Sequence, residues 1–85
     1  MNTGATVLRG NGQLYMADTF LFPVGYSVQI DGEQDAPRTA YIWRSDGGDF
    51  LDLLCRKVRL EMDGGRLLEF WIGSYQGHAE ACRFV

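Results

Sequence analysis

The side chains best suited to chemistry in this sequence are His78, the only histidine, and Cys82, which follows it closely. Such a pair could hold a metal ion or act as base and nucleophile. Residues four apart in a β-strand lie about 13 Å from each other, so a shared site would need a helix at this point. A closed zinc site needs four ligands, and Cys55 is the only further cysteine. We therefore expect His78 to be a polar turn residue and Cys82 to be buried, with an enzyme or metal protein that uses His78 and Cys82 as an alternative.

Three acidic residues, Asp31, Glu33 and Asp35, alternate along one segment in the manner of a calcium-binding loop. Such a loop requires glycine at its sixth position and a bidentate glutamate at its twelfth. The sequence has Ala36 and Ile42 at those positions. The three carboxylates are therefore predicted to face solvent in a connecting loop.

Two further segments begin active-site motifs without completing them. Asp46, Asp49 and Asp52 could supply a carboxylate pair for acid–base catalysis, which needs one pKa raised by burial. Helix capping and a favourable interaction with the helix dipole explain Asp49 and Asp52 more simply. The segment 10–12, Gly-Asn-Gly, starts like a dinucleotide-binding fingerprint but has neither the third glycine nor a βαβ unit around it. The sequence therefore predicts a protein that is not an enzyme, without catalytic, cofactor-binding or metal-binding residues.

The remaining candidates are large side chains at outward positions of predicted strands. Tyr41 and Trp43 lie opposite the apolar face of one strand, and Trp71 lies opposite the apolar face of another. Tryptophan, tyrosine and arginine are enriched at the energetic centres of protein interfaces. The candidate interface or binding face consists of Tyr41, Trp43, Arg44, Leu67 and Trp71.

This face has three interpretations. In the leading one, the protein is a small non-catalytic module that binds another protein or a second copy of itself, because apolar outer faces and unpaired strand edges gain by association. In the second, single-stranded nucleic acid stacks on the aromatic rings beside basic residues. In the third, Trp43 and Trp71 are cross-strand neighbours that complete a two-sided core. The basic residues close by in the sequence are Arg38, Arg44, Arg56, Lys57 and Arg59.

Charge and composition narrow the classes of partner. A formal net charge of −3 and an isoelectric point near 4.9 disfavour general affinity for nucleic-acid phosphates or anionic membranes. No run of about 18 apolar residues is present, and Met1 to Gly4 lack the pattern of a secretory signal. Two cysteines are too few for a disulfide framework. The sequence thus predicts a cytoplasmic protein with no membrane segment.

The element expected to organise the chain is a β-hairpin over residues 58–73. Apolar residues alternate with charged ones over 58–62, and apolar residues again recur at every second position over 68–72. Between them, Asp-Gly-Gly-Arg at 63–66 favours a tight reversal. We predict a connection of odd length, with Gly65 or Arg66 in a left-handed conformation.

The hairpin also carries a prediction of strand register. A two-residue loop would place Leu60 opposite Glu69 and put a carboxylate on the buried face. Pairing Leu60 with Phe70 and Met62 with Leu68 keeps the apolar side chains together, because side chains in a strand alternate between faces.

Weaker signals place the other elements. Asn-Gly at 11–12 between β-prone runs predicts another hairpin. The segment 19–23 ends at a proline and is interpreted as a crossing stretch or an edge. Alternation over 24–30 and 39–44, and the composition of 80–85, predict further strands. Residues 49–57 predict about two turns of amphipathic helix, with a short buried strand as the alternative.

These elements predict an all-β fold in one domain spanning 1–85. We expect an antiparallel meander of about six to seven short strands that closes into a small barrel or a compact sandwich, because one brief helix cannot cover two sheet faces.

Overall fold

The computed structural model describes residues 5–85, which form six antiparallel β-strands closing into a barrel. Met1 to Gly4, on which the expectation of no secretory signal rests, lie outside the described residues. Over the described range, no helix has the length and hydrophobicity needed to cross a membrane. The strands are β1 (Ala5–Met16), β2 (Thr19–Asp31), β3 (Ala36–Arg44), β4 (Lys57–Glu61), β5 (Leu67–Tyr75) and β6 (Ala79–Phe84).

The barrel consists of two meanders joined by one connector. The strand order around the barrel is β1-β2-β3-β6-β5-β4, and β4 returns to β1. Hairpin connections therefore link β1, β2 and β3 in one half, and β4, β5 and β6 in the other. Residues 45–56 carry the chain from one half to the other. The all-β antiparallel prediction is confirmed, with a barrel rather than a sandwich.

The core is formed by the apolar residues that alternate along the strands. Side chains at every second position point inward, as the two-residue period predicts. The connector adds Phe50, whose ring centroid lies 5.4 Å from that of Phe22 and 5.8 Å from that of Tyr75. The buried hydrophobic residues are Leu14, Val24, Tyr26, Val28, Ile30, Ala40, Ile42, Phe50, Leu53, Val58, Leu60, Met62, Phe70, Ile72 and Ala79.

The predicted register of the β4–β5 hairpin is wrong by two residues. Leu60 pairs with Leu68, and Phe70 pairs with Val58, so the expected pairing of Met62 with Leu68 does not form. A shift of two residues leaves every side chain on its predicted face. The inward direction of Leu60 and Phe70 is therefore unchanged, and both are buried.

The loop of this hairpin explains the shift. Met62 N–H donates to the carbonyl oxygen of Arg66 at 2.7 Å, which leaves a three-residue loop at 63–65. Gly64 and Gly65 have φ values of 93° and 92°, which glycine adopts without strain. The odd length and the left-handed Gly65 are confirmed, while Arg66 pairs with Met62 at the end of the loop.

The hairpin predicted at Asn11-Gly12 is wrong. Strand β1 runs through this segment, and the chain reverses at Ala17 and Asp18, where Ala17 has a φ of 55°. Glycine is needed at position 12 for a different reason: a Cβ there would collide with the backbone carbonyl oxygen of Glu61 on β4. Close approach of two strands, rather than a turn, accounts for this glycine.

The proline segment follows the edge alternative, whereas the predicted helix differs from expectation. Residues 19–23 belong to β2 and pair with β1 only, because the ladder with β3 begins at Val24. Over 49–57 the only helix is the 3₁₀ turn Leu51–Leu53, and no strand forms before Lys57. The helix stops because Cys55 N–H donates to the carbonyl oxygen of Ile72 at 2.7 Å, which directs the chain into pairing with β5.

The two halves of the barrel meet along short seams. Strand β4 pairs with β1 from Gln13 to Tyr15, and β6 pairs with β3 at Tyr41 and Ile42. The ladder between β1 and β2, in contrast, extends along the whole of β1. A further hydrogen bond joins the two halves, because the N–H of Asp63 in the β4–β5 loop donates to the hydroxyl oxygen of Tyr26 on β2 at 3.1 Å.

Candidate functional site

Strand β3 presents two aromatic side chains on the outside of the barrel. Trp43 is 41% exposed and Tyr41 is half-buried, while Ile42 between them is in the core. The indole of Trp43 lies directly against the backbone of Gly25 on β2, since a Cβ at position 25 would overlap the ring. A tryptophan seated on a glycine has one face covered by backbone. Its other face remains available for a partner.

His78 completes this surface. Its ring centroid is 5.0 Å from that of Tyr41, with the planes nearly perpendicular at 82°. Tyr41, Trp43 and His78 line a shallow cavity of about 320 Å³. We call these three residues the aromatic surface. The sequence identified Tyr41 and Trp43 but gave no reason to add His78, because the pairing of β3 with β6 joins segments far apart in the chain.

Arg44 is directed away from the aromatic surface by the β3–β4 connector. Its guanidinium lies 4.0 Å from the ring centroid of Phe22 and donates to the Asp46 carboxylate at 2.9 and 2.7 Å. These side-chain hydrogen bonds raise the pKa of Arg44 and lower the pKa of Asp46. A further bond reaches the carbonyl oxygen of Asp49 at 3.2 Å. Arg44 therefore orders the connector and does not join Tyr41 and Trp43.

Leu67 and Trp71 occupy outward positions on β5, away from the aromatic surface. Strand β6 lies between β3 and β5, so the interpretation of Trp43 and Trp71 as cross-strand neighbours is wrong. Trp71 instead has two cations over its ring, Arg83 Cζ at 4.9 Å and Lys57 Nζ at 5.7 Å from the centroid. The predicted face is thus divided into separate parts.

Both cysteines are free and exposed, so the expectation that Cys82 is buried is wrong. The register between β5 and β6 explains its exposure: Ala81 pairs with Ile72 and Arg83 pairs with Trp71, which leaves Cys82 as the extra residue of a bulge. His78 is exposed in the turn between these strands, as predicted. Residues 5–85 contain no group of three histidine, cysteine or carboxylate side chains that could hold a metal ion.

The carboxylates in the loops accept hydrogen bonds from backbone N–H groups two or three residues away. The Asp31 carboxylate accepts hydrogen bonds from the N–H groups of Glu33 at 2.8 Å and Gln34 at 3.2 Å, and these bonds lower the pKa of Asp31. Asp49 accepts from Leu51 N–H at 3.1 Å. These side chains stabilise turns, consistent with the solvent-facing loop that the sequence predicts at 31–35.

Basic residues lie on strands of both halves of the barrel. The ion pairs within the described residues are Arg44–Asp46 and Arg66–Asp35. The cations on and beside β4 and β6 have no carboxylate within 4 Å over that same range: Arg56, Lys57, Arg59 and Arg83. The sequence showed most of these residues as a cluster, but not that aromatic rings hold several of them in place of carboxylates.

This arrangement could bind a partner molecule through the exposed aromatic rings on one side of the barrel, or through the cations without carboxylate partners on another side. Comparison of the chain with protein-family models, with curated proteins and with solved structures gives no match in any of the three.

Proposed function

We propose that the protein is a non-catalytic interaction module that self-associates through its aromatic surface. The observation that carries the proposal is the position of Trp43, which is fixed against Gly25 and open to solvent on its other side. Large aromatic rings held rigidly on strands lose little conformational entropy on binding, so they contribute strongly to interfaces.

The geometry of the aromatic surface suits a symmetric contact. It is shallow, and two of its three residues, Tyr41 and Trp43, lie on the regular part of β3, where a second copy can approach them directly. In a two-fold arrangement each Trp43 would meet the aromatic surface of the other copy, and both rings would leave water together. Tyr41 and His78 would surround this contact, and their polar atoms could stay in solvent.

Removal of the Trp43 side chain is expected to weaken self-association by about thirtyfold or more, because a central interface residue contributes that much and a two-fold dimer loses both copies. Sedimentation equilibrium at micromolar concentrations would compare the wild type with Trp43→Ala. Leu51→Ala is the matched control, because Leu51 is 59% exposed and lies on the connector instead of the aromatic surface. A wild type that stays monomeric throughout, or equal effects of the two substitutions, would contradict the proposal.

A second candidate function, binding of single-stranded nucleic acid, is favoured by the surroundings of Trp71. The cations of Lys57 and Arg83 lie over its ring and lack acidic partners among the described residues, so they can contact phosphates while a base stacks near by. The overall charge of −3 opposes this function. Lys57 and Arg83 nevertheless lie together at the ring of Trp71.

Quenching of Trp71 fluorescence by an oligothymidylate would test this second function. In the Trp43→Phe variant Trp71 is the only tryptophan, so the signal reports on its surroundings alone. Affinity should fall steeply with salt, with a logarithmic slope of about −0.7 for each phosphate contacted. Arg83→Gln should weaken binding, and Arg38→Gln on β3 should not. No quenching at low salt would rule the function out.

A further inference from the structure

A cavity of about 520 Å³ lies between the β1–β2 turn and the start of β4. Three cationic side chains, those of Arg56, Lys57 and Arg59, line it together with the carboxylates of Asp18 and Glu69. None of the cations forms an ion pair with either carboxylate, since both ion pairs within residues 5–85 involve other residues. The cavity therefore contains positive charge that nearby acids do not neutralise through direct contact.

Aromatic rings position two of these cations. The guanidinium carbon of Arg59 lies 5.1 Å from the ring centroid of Tyr15, its neighbour on β1, and Lys57 Nζ lies 5.7 Å from that of Trp71. A ring orients a cation through its face without accepting the hydrogen bonds that a carboxylate would take. The terminal N–H groups of Arg59 and the ammonium of Lys57 are thus held in place without a carboxylate partner.

The Nε atom of Arg59 gives independent support for a ligand. It is buried and has no hydrogen-bond partner, the only side-chain nitrogen or oxygen in this condition among the described residues. A buried donor without an acceptor is destabilising, and it is most unfavourable when it belongs to a charged group. As placed, this atom has no surface open to the cavity, so an oxyanion supplies the missing acceptor when the guanidinium turns toward it.

We propose that this cavity is a binding site for a phosphate group, with Arg59 as its central ligand and Lys57 and Arg56 as supporting charges. A guanidinium can donate from Nε and one terminal nitrogen to two oxygens of the same phosphate, which makes arginine well suited to this role. The ammonium of Lys57 acts as a point charge on the same outward face of β4, two residues from Arg59. The site does not depend on self-association, because it shares no residue with the aromatic surface.

The two carboxylates limit which anions can enter. Asp18 is exposed and Glu69 pairs with Arg59 across the β4–β5 ladder, so the net charge of the side chains around the cavity is small. A weakly charged site of this size favours a compact phosphate held by directed hydrogen bonds over a large polyanion drawn in by charge alone. A free phosphate ester and the backbone phosphate of a nucleic-acid strand share this chemistry.

Titration with sodium phosphate, followed by NMR and calorimetry at constant ionic strength, tests the site. In the wild type the Arg59 Nε–H resonance should shift in a saturable way, because this proton acquires an acceptor. Arg59→Gln should reduce phosphate affinity about tenfold or more, the loss expected for a charge-assisted bidentate contact. Lys57→Ala, a change at an exposed residue, should give a smaller loss in the same direction.

Arg38→Gln is the matched control, since Arg38 is exposed on β3 and does not line the cavity. Repeating the titration with an oligothymidylate identifies the source of the phosphate: competition with sodium phosphate indicates a strand backbone, and binding of phosphate alone indicates a free ester. Either result supports the site. An Arg59 Nε–H signal that does not move, or equal losses in Arg59→Gln and Arg38→Gln, would overturn the proposal.

Discussion

Replacing Phe70 by alanine is expected to lower the free energy of unfolding by about 3–5 kcal/mol. Phe70 is fully buried on β5, where it pairs with Val58 on β4 and with Phe84 on β6. Truncation would leave a cavity between three strands whose backbones are fixed by ladders, so the surroundings can close over it only in part. A domain of this size has a total stability of roughly 5–10 kcal/mol, so the variant would approach the limit of folding.

Urea unfolding of Phe70→Ala and of Leu67→Ala measures this effect with a control on the same strand. Leu67 is 57% exposed, so its truncation removes little buried surface and should change stability by less than about 1 kcal/mol. Similar losses for the two variants would mean that Phe70 does not lie in a closely packed interior.

Replacing Gly12 by alanine should destabilise the protein by about 1–3 kcal/mol or more. The new Cβ would collide with the carbonyl oxygen of Glu61, and a backbone atom cannot rotate away as the end of a side chain can. Relief requires β1 and β4 to separate next to Gln13–Tyr15, the short stretch where these strands pair. The change would therefore weaken the closure of the barrel as well as its local packing.

Gly10→Ala provides the comparison for this second prediction. Gly10 lies on the same strand and the same face, but its added Cβ would meet the hydroxyl of Tyr26, at 2.9 Å. Both substitutions restrict the unfolded chain equally, so the difference between them isolates the backbone collision. Thermal unfolding should show a clearly lower midpoint for Gly12→Ala than for Gly10→Ala. Equal midpoints would show that the two strands can separate at little cost.

The two-residue alternation in the sequence predicted the fold, because a strand with one buried face has apolar residues at every second position. Strands β2, β3, β4 and β5 each have buried apolar residues two positions apart. Examples that point into the barrel are Val28, Leu60 and Phe70. A strand that misplaces this pattern by one residue would turn its apolar face to water, so the pattern must be kept. A displacement of two residues leaves it intact, and the predicted β4–β5 register was wrong by that amount.

The role of a glycine cannot always be predicted from the residues next to it in the sequence. Asn-Gly is a strong turn signal, but at Gly12 the requirement for glycine comes from Glu61, which lies far along the sequence. The same holds for Gly25, which makes room for the ring of Trp43. A glycine needed for close approach and a glycine needed for a turn are identical in the sequence, so only the three-dimensional partner distinguishes them.

The candidate site was predictable only in its individual residues. The outward positions of Tyr41 and Trp71 follow from alternation along single strands. Which outward residues lie together depends on strand order, and β6 separates the strands that carry these two. The contact of Tyr41 with His78 and the unpartnered Nε of Arg59 likewise arise from pairing between distant segments.

The two short seams between the halves of the barrel also affect how the chain folds. Within each half, neighbouring strands follow one another through brief reversals, so their contacts link nearby residues and need little loss of chain entropy. The seams at Gln13–Tyr15 and at Tyr41–Ile42 join residues from opposite halves, and few hydrogen bonds compensate for bringing them together. We therefore expect the docking of the two halves to be a late step of folding, in which Phe50 from the connector packs against Phe22 and Tyr75.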